Sequence, residues 1–133
     1  MPNPRYLSKE GIPTVELLGK LYLAKQVFHS NLGWFCETHG FQAEELKNIA
    51  GVYLIGSHAE EDGWNDNTSD LDIKLVNGSA FPENLHRYKR EVLDKLLHQG
   101  EKRRWVDLFF VGEEYQVTQP WWDLTEYWSR LEV

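Results

Sequence analysis

The sequence is poor in cysteine and in long apolar runs. Its one cysteine, Cys36, excludes an internal disulfide and fits a reducing compartment, so we expect a cytoplasmic protein. No apolar segment approaches the roughly 20 residues of a transmembrane helix. The first residues, MPNPRYLSKEG, contain no apolar signal core. These absences predict neither a membrane span nor secretion.

Positive charge is also scarce. Lys and Arg number 14 against 21 Asp and Glu, which gives a net charge of -7. Such a surface repels a phosphate backbone, so a polynucleotide is not a favoured partner. A nucleotide stays possible, because a metal ion can screen its phosphates locally.

The chain is rich in aromatic residues. Its 133 residues, the usual size of one domain, include six Trp, six Tyr and six Phe. Such a composition argues for a packed core and against disorder. We therefore predict a single domain over residues 1–133.

Four segments show helical patterns. Residues 14–39 carry one apolar face, with Thr14 as a cap and Gly40 at the end, and 43–49 are a candidate for a short second helix. Pro82 suits the start of a further helix that ends near Gly100. A last helix is predicted over 120–131. Its aromatic residues either join the core or form a surface for a partner subunit; they are Trp121, Trp122, Tyr127 and Trp128.

Three segments are predicted strands: residues 51–56, 70–76 and 103–111. A polar loop over 57–69 separates the first two, and a turn follows at 77–80. The order of helices and strands predicts an α/β (α+β mixed) fold, in which a small mixed sheet packs against helices.

Acidic residues mark two of these strands. Asp70, Asp72 and Lys74 share one strand face by alternation, and Asp107 interrupts the apolar run RWVDLFFV. Asp70 and Asp72 could belong to a solvated face. A carboxylate inside an apolar strand, however, needs a partner, because burying it unpaired costs several kcal/mol.

Two kinds of partner for Asp107 are open. One is an ion pair with Arg103, Arg104 or Lys74; the other is a divalent metal ion shared with Asp70 and Asp72. The two acids of one strand lie about 6.6 Å apart, and an adjacent strand would bring Asp107 within about 4.8 Å. Ligands that offer only oxygen atoms suit Mg²⁺ or Mn²⁺.

A Gly-Ser pair ends the first strand. Gly56 permits a tight turn with close approach of a ligand, and Ser57 can hold phosphate oxygens through its N–H and hydroxyl. An ordinary strand-ending turn is the simpler interpretation of the pair.

These parts together resemble the nucleotidyltransferase superfamily related to DNA polymerase β, in its minimal form. The resemblance covers residues 51–111 and rests on Gly56-Ser57, a spacer of twelve residues, Asp70-Leu71-Asp72-Ile73 and Val106-Asp107-Leu108. It implies the nucleotidyltransferase fold and an enzyme that transfers a nucleoside monophosphate from a triphosphate to an acceptor. The acceptor would be a protein side chain or a small molecule.

The resemblance also implies roles for residues. Asp70, Asp72 and Asp107 would be catalytic and bind Mg²⁺, whereas Gly56, Ser57 and Lys74 would bind the nucleotide. A homodimer or a small helical partner protein is implied as well. The acidic segment 60–62, where related chains often place an arginine, would repel a triphosphate. It favours an alternative: a weakly active or inactive protein that binds a partner, such as an antitoxin.

Histidines are assigned no role from the sequence. His58 follows Ser57 directly and could touch a phosphate, although a loop histidine is more often simply exposed. The other four show no metal-ligand spacing with one another or with Cys36.

Overall fold

The computed structural model describes residues 6–8, 10–59, 70–100, 105–114 and 121–133. Its helices are α1 Val15–Ser30, α2 Leu32–His39, α3 Ala43–Leu46, α4 Pro82–Tyr88, α5 Asp94–Leu97 and α6 Thr125–Arg130. Its strands are β1 Ile49–Ile55, β2 Leu71–Asn77, β3 Val106–Gly112 and β4 Trp122–Asp123. A 3₁₀ turn, Gly56–Ala59, follows β1, and a π-helical turn, Lys89–Leu93, joins α4 to α5. Within these residues, no helix has both the length and the apolar character needed to cross a membrane.

The predicted helix 14–39 is divided in two at Asn31. Thr14 caps its start as expected, because its hydroxyl oxygen accepts a hydrogen bond from the N–H of Leu17 at 3.2 Å. At the break, the Asn31 amide donates to the Val27 carbonyl at 2.8 Å, which offers the backbone an alternative to a straight helix. Gly40 ends α2 in the left-handed conformation, with φ 74°. The predicted apolar face is buried throughout: Leu17, Leu21, Ala24, Phe28, Leu32 and Phe35.

The four strands form one mixed sheet in the order β3-β2-β1-β4. The strand β2 pairs with β1 antiparallel and with β3 parallel, and the helical segment between β2 and β3 makes the crossover that a parallel pair requires. The mixed α/β prediction is therefore confirmed at this level, and β3 lies beside the strand that carries the two acids.

One face of the sheet is covered by helices. Phe28 of α1 stacks against Phe110 of β3, with ring centroids 5.8 Å apart, and Tyr88 of α4 meets Phe28 edge-on at 5.7 Å. The strand residues on this face are buried: Leu71, Ile73, Leu75, Val106, Leu108 and Phe110. Residues between them point to the opposite face, where the acids, Lys74, Phe109 and Val111 are only partly buried.

The end of the chain differs from the predicted helix 120–131. Trp122 lies in β4, an added edge strand beside β1, and the helix begins only at Thr125. Trp128 is buried, and the indole N–H of Trp122 donates to the Ala59 carbonyl at 2.9 Å. The Lys25 ammonium donates to the carbonyls of Trp128 and Leu131 at the end of α6. These contacts favour the core interpretation of the aromatic tail.

Asn77 ends β2 and organises the turn that the sequence predicts there. Its buried amide donates to the carbonyls of Glu45 and Leu46, both at 2.9 Å. Its side-chain oxygen accepts from the N–H groups of Ser79 and Ala80. The turn is thereby tied to α3, and the full set of bonds explains why a polar side chain is buried here.

A Tyr88→Phe variant is expected to lose about 1 kcal/mol of unfolding free energy, the net value of one hydrogen bond. The buried Tyr88 hydroxyl donates to the Phe28 carbonyl at 2.5 Å, and burial raises the pKa of this hydroxyl far above its usual range. Chemical denaturation measures the loss. Tyr22→Phe at an exposed position is the control, and equal stability of both variants would contradict the prediction.

Candidate functional site

Three carboxylates converge where β2 and β3 lie side by side. Asp72 and Asp107 are direct partners in the parallel register, and Asp70 immediately precedes β2. One oxygen from each of the three lies within 4.8 Å of the others. All three side chains are partly buried, on the sheet face opposite the core. Like charges at this separation repel strongly unless a cation lies among them.

The turn after β1 approaches the same acids. Ile55 is the register partner of Asp72, so Gly56 begins the 3₁₀ turn directly beside that carboxylate. Gly56 has φ +73°, a conformation that L side chains rarely adopt. A Cβ at this position would clash with Oδ2 of Asp72 and lie 3.2 Å from its Cγ. Glycine thus lets the chain pass against the carboxylate.

Asp107 forms an ion pair with Lys89, which is not among the three cationic partners that the sequence suggests. Its Oδ1 accepts from the ammonium of Lys89, which also contacts Oδ1 of Asp94 at 2.8 Å. The side chains of Lys89 and Asp107 are only 18% and 17% exposed, so the pair is largely shielded from water. Burial by itself lowers the pKa of Lys89, but the bonds and charges of Asp107 and Asp94 outweigh it and raise that pKa. Lys89 therefore stays charged.

Two of the cationic partners suggested for Asp107, Arg103 and Arg104, lie outside the described residues. The π-helical turn begins at Lys89, directly after the buried Tyr88, and orients the lysine toward β3. Nothing near Lys89 in the sequence signals this role. The contact depends on where the crossover packs against β3.

The ring of His98 lies beside the same carboxylates. Its Nε2 lies 3.6 Å from Oδ1 of Asp107 and 3.7 Å from Oδ1 of Asp94, and its ring stacks on Trp105 at 4.9 Å. Asp94, His98 and Asp107 offer ligand atoms within 4.8 Å of one another. Because Lys89 already bridges the two carboxylates, we interpret this group as a network that holds Asp107. The histidine, given no role from local spacing, is brought there by tertiary packing.

A pocket of about 360 Å³ opens on the same sheet face, beyond Asp107. Lys74 lines it, as its position on the acidic strand face allows, and Phe109, its register partner on β3, lies beside it. The crossover segment supplies further cationic and polar walls. We call this cavity the β3 pocket. The residues that mainly line it are Lys74, His86, Lys89, Arg90, Phe109 and Val111.

Two other predictions from the sequence concern the turn after β1 and the acidic segment that follows it. Ser57 lies in the 3₁₀ turn beside Gly56, and its phosphate-binding role stays a prediction. The acidic segment 60–62 lies outside the described residues, so its effect on nucleotide binding is also still a prediction.

The chain matches no protein-family model, no curated protein and no solved structure. The fold is a small mixed α/β fold with a four-stranded mixed sheet and acidic clusters. Any function must therefore be inferred from these residues and their geometry.

Proposed function

We propose that this protein is a Mg²⁺-dependent nucleotidyltransferase with the fold of the superfamily related to DNA polymerase β. The observation that carries the proposal is the meeting of Asp70, Asp72 and Asp107 beside the Gly56 turn. The acids come from adjacent parallel strands, and the turn follows the strand on the other side of β2. A solvated strand face would not require this convergence.

The three carboxylates fit a hard divalent cation. They offer only oxygen ligands, which suit Mg²⁺ or Mn²⁺. Asp70 and Asp72 would hold two ions, and Asp107 would share one of them. Gly56 lacks the Cβ that would otherwise lie against Oδ2 of Asp72. Lys89, bonded to Oδ1 of Asp107, would compete with an ion for that oxygen.

The proposed reaction transfers a nucleoside monophosphate. The acceptor hydroxyl attacks the α-phosphorus and gives its proton to the carboxylate of Asp107. A new O–P bond forms, the bond between the α-phosphorus and its bridging oxygen to the β-phosphate breaks, and pyrophosphate leaves with the bonding electrons. When bound, Mg²⁺ supplies positive charge that neutralises the phosphate oxygens. Gly56, Ser57 and Lys74 are the proposed nucleotide-binding residues, since backbone N–H groups and an ammonium bind phosphate.

Calorimetric titration of ATP and GTP, with and without Mg²⁺, tests the proposal. Wild type is expected to bind a nucleotide only with Mg²⁺, and Asp70→Asn/Asp72→Asn is expected to weaken that binding by about 100-fold or more. The reason is that the double variant removes both ligands that the two ions would share.

The matched control is Glu37→Gln/Glu83→Gln, which removes the same charge at two exposed positions. It should bind Mg²⁺ and nucleotide as wild type does. Metal-independent binding, or equal binding by the two double variants, would show that the acids do not hold the metal.

A second candidate is a partner-binding protein with weak or no catalysis. The ion pair between Lys89 and Asp107 supports it, because an ammonium already neutralises the carboxylate. Exposed apolar side chains on α1 and α2, including Leu23 and Trp34, offer contact area to a homodimer or a helical partner. The absence of nucleotide binding by wild type in the same titration would favour this candidate.

A further inference from the structure

We propose that the β3 pocket binds the acceptor, and that the acceptor is an anionic compound with an apolar ring. The acceptor role rests on the proposed nucleotidyltransferase function. The ligand class rests on the pocket itself: its volume of about 360 Å³ suits one small molecule.

The strand register places the pocket and the Gly56 turn on opposite sides of the acids. Asp72 pairs with Ile55, so Gly56 lies toward the beginning of β2. Lys74, which lines the pocket, lies two residues toward the end of β2, about 6.6 Å from Asp72. A triphosphate held at the Gly56 turn, with Lys74 at its edge, would leave the rest of the β3 pocket for the second substrate.

Asp107 connects the pocket to the reaction. Lys89, a wall of the pocket, is bonded to Oδ1 of Asp107. A hydroxyl group at the Asp107 end of the pocket would therefore lie beside the carboxylate proposed to take its proton. This placement suits an attacking group better than a leaving pyrophosphate.

The charge of the walls predicts an anion. Lys74, Lys89 and Arg90 line the pocket together with His86, and Asp94 is the one acid beside them among the described lining residues. This cationic excess stands out on a chain of net charge -7. Lys89 is engaged by Asp94 and Asp107, and the His86 Nε2 donates to the Phe110 carbonyl at 2.9 Å. Arg90, which is exposed, is the side chain best placed to bind an anionic group.

The floor of the pocket predicts an apolar ring. Phe109 and Val111 project from β3 on the sheet face opposite the core, and both are only partly buried. The Lys89 ammonium lies 4.9 Å from the centre of the Phe109 ring. A planar group could pack on this surface while its anionic substituent meets Arg90.

Ligand-detected NMR titration with three probes, without Mg²⁺ or nucleotide, tests the ligand class. Phenyl phosphate offers both ring and anion, phenol only the ring, and inorganic phosphate only the anion. Phenyl phosphate is expected to bind about tenfold more tightly than either fragment, and Arg90→Gln to weaken it about tenfold by removing a charged hydrogen bond. Arg87→Gln is the matched control, since Arg87 is exposed and paired with Glu91. Equal affinities for the three probes, or equal loss in both variants, would overturn the ligand class.

The acceptor role has its own test. Phenyl phosphate should bind the Asp70→Asn/Asp72→Asn variant as it binds wild type, and Arg90→Gln should keep wild-type binding of ATP with Mg²⁺. Simultaneous binding of phenyl phosphate and ATP with Mg²⁺ supports the role, whereas competition between them overturns it. If wild type bound phenyl phosphate but no nucleotide, the proposed function and the acceptor role would be contradicted, whereas the ligand class would be supported.

Discussion

A Lys89→Met variant is expected to lose about 3 kcal/mol of unfolding free energy, because one partner of a mostly buried charge group is removed. Lys89 bridges Asp94 and Asp107, which offer oxygen atoms within 4.8 Å of each other. Without the ammonium, the two carboxylates repel each other in a largely shielded place. Methionine nearly keeps the length of the side chain, so the loss reports charge more than packing. Urea denaturation at neutral pH measures it.

Lys95→Met is the matched control, since Lys95 lies exposed on the same crossover. Its stability should stay within about 0.5 kcal/mol of wild type. If Lys89→Met were as stable as Lys95→Met, the bridge between Asp94 and Asp107 would contribute nothing to folding.

The pH dependence gives a second measurement on the same variant. The pKa of Lys89 is raised above its ordinary value of 10.5, so its stabilisation is fully present below that pH. It is lost as pH rises through the folded-state pKa. The difference in unfolding free energy between wild type and Lys89→Met should therefore be constant from neutral pH to about 10 and shrink above it. A difference that grew with alkaline pH would contradict this account.

A Gly56→Ala variant is expected to lose about 2 kcal/mol of stability and to bind nucleotide with Mg²⁺ about tenfold or more weakly. An alanine side chain strains a backbone with φ +73°. Its Cβ also clashes with the carboxyl group of Asp72. Asp72 must move, and it is one of the two proposed shared metal ligands. Denaturation and the calorimetric titration measure the two effects on one preparation.

Variants at two other glycines separate the effect of backbone strain from the effect of the contact with Asp72. Gly40 has φ +74°, and no atom lies within 4 Å of the position that a Cβ would take there, so Gly40→Ala reports backbone strain alone. Gly33 lies within α2 in open space, and Gly33→Ala should raise stability by about 0.5 kcal/mol. Both should bind nucleotide as wild type does. If Gly40→Ala weakened binding as much as Gly56→Ala, the contact with Asp72 would not explain the loss.

Much of the local structure follows from the sequence. The spacing of Leu17, Leu21 and Phe28 identifies the buried face of α1, and Thr14 and Gly40 mark the ends of the helical region. Alternation along β2 places Asp72 and Lys74 on one face. These features depend on neighbours within a few residues, so periodicity and capping chemistry reveal them. The break at Asn31 follows from a local side-chain bond that the helical spacing does not reveal, and the strand β4 depends on its pairing with β1.

The candidate site also has some features that the sequence predicts and others that only the fold reveals. The sequence by itself determined that two acids share a strand face, that a third acid interrupts an apolar strand, and that glycine stands where the first strand ends. Only the tertiary structure decided that β3 lies parallel to β2, which makes Asp107 the partner of Asp72. It also decided that Lys89 and His98 reach Asp107 from the crossover. Strand order and long side-chain contacts are set by packing between distant segments, and no local pattern encodes them.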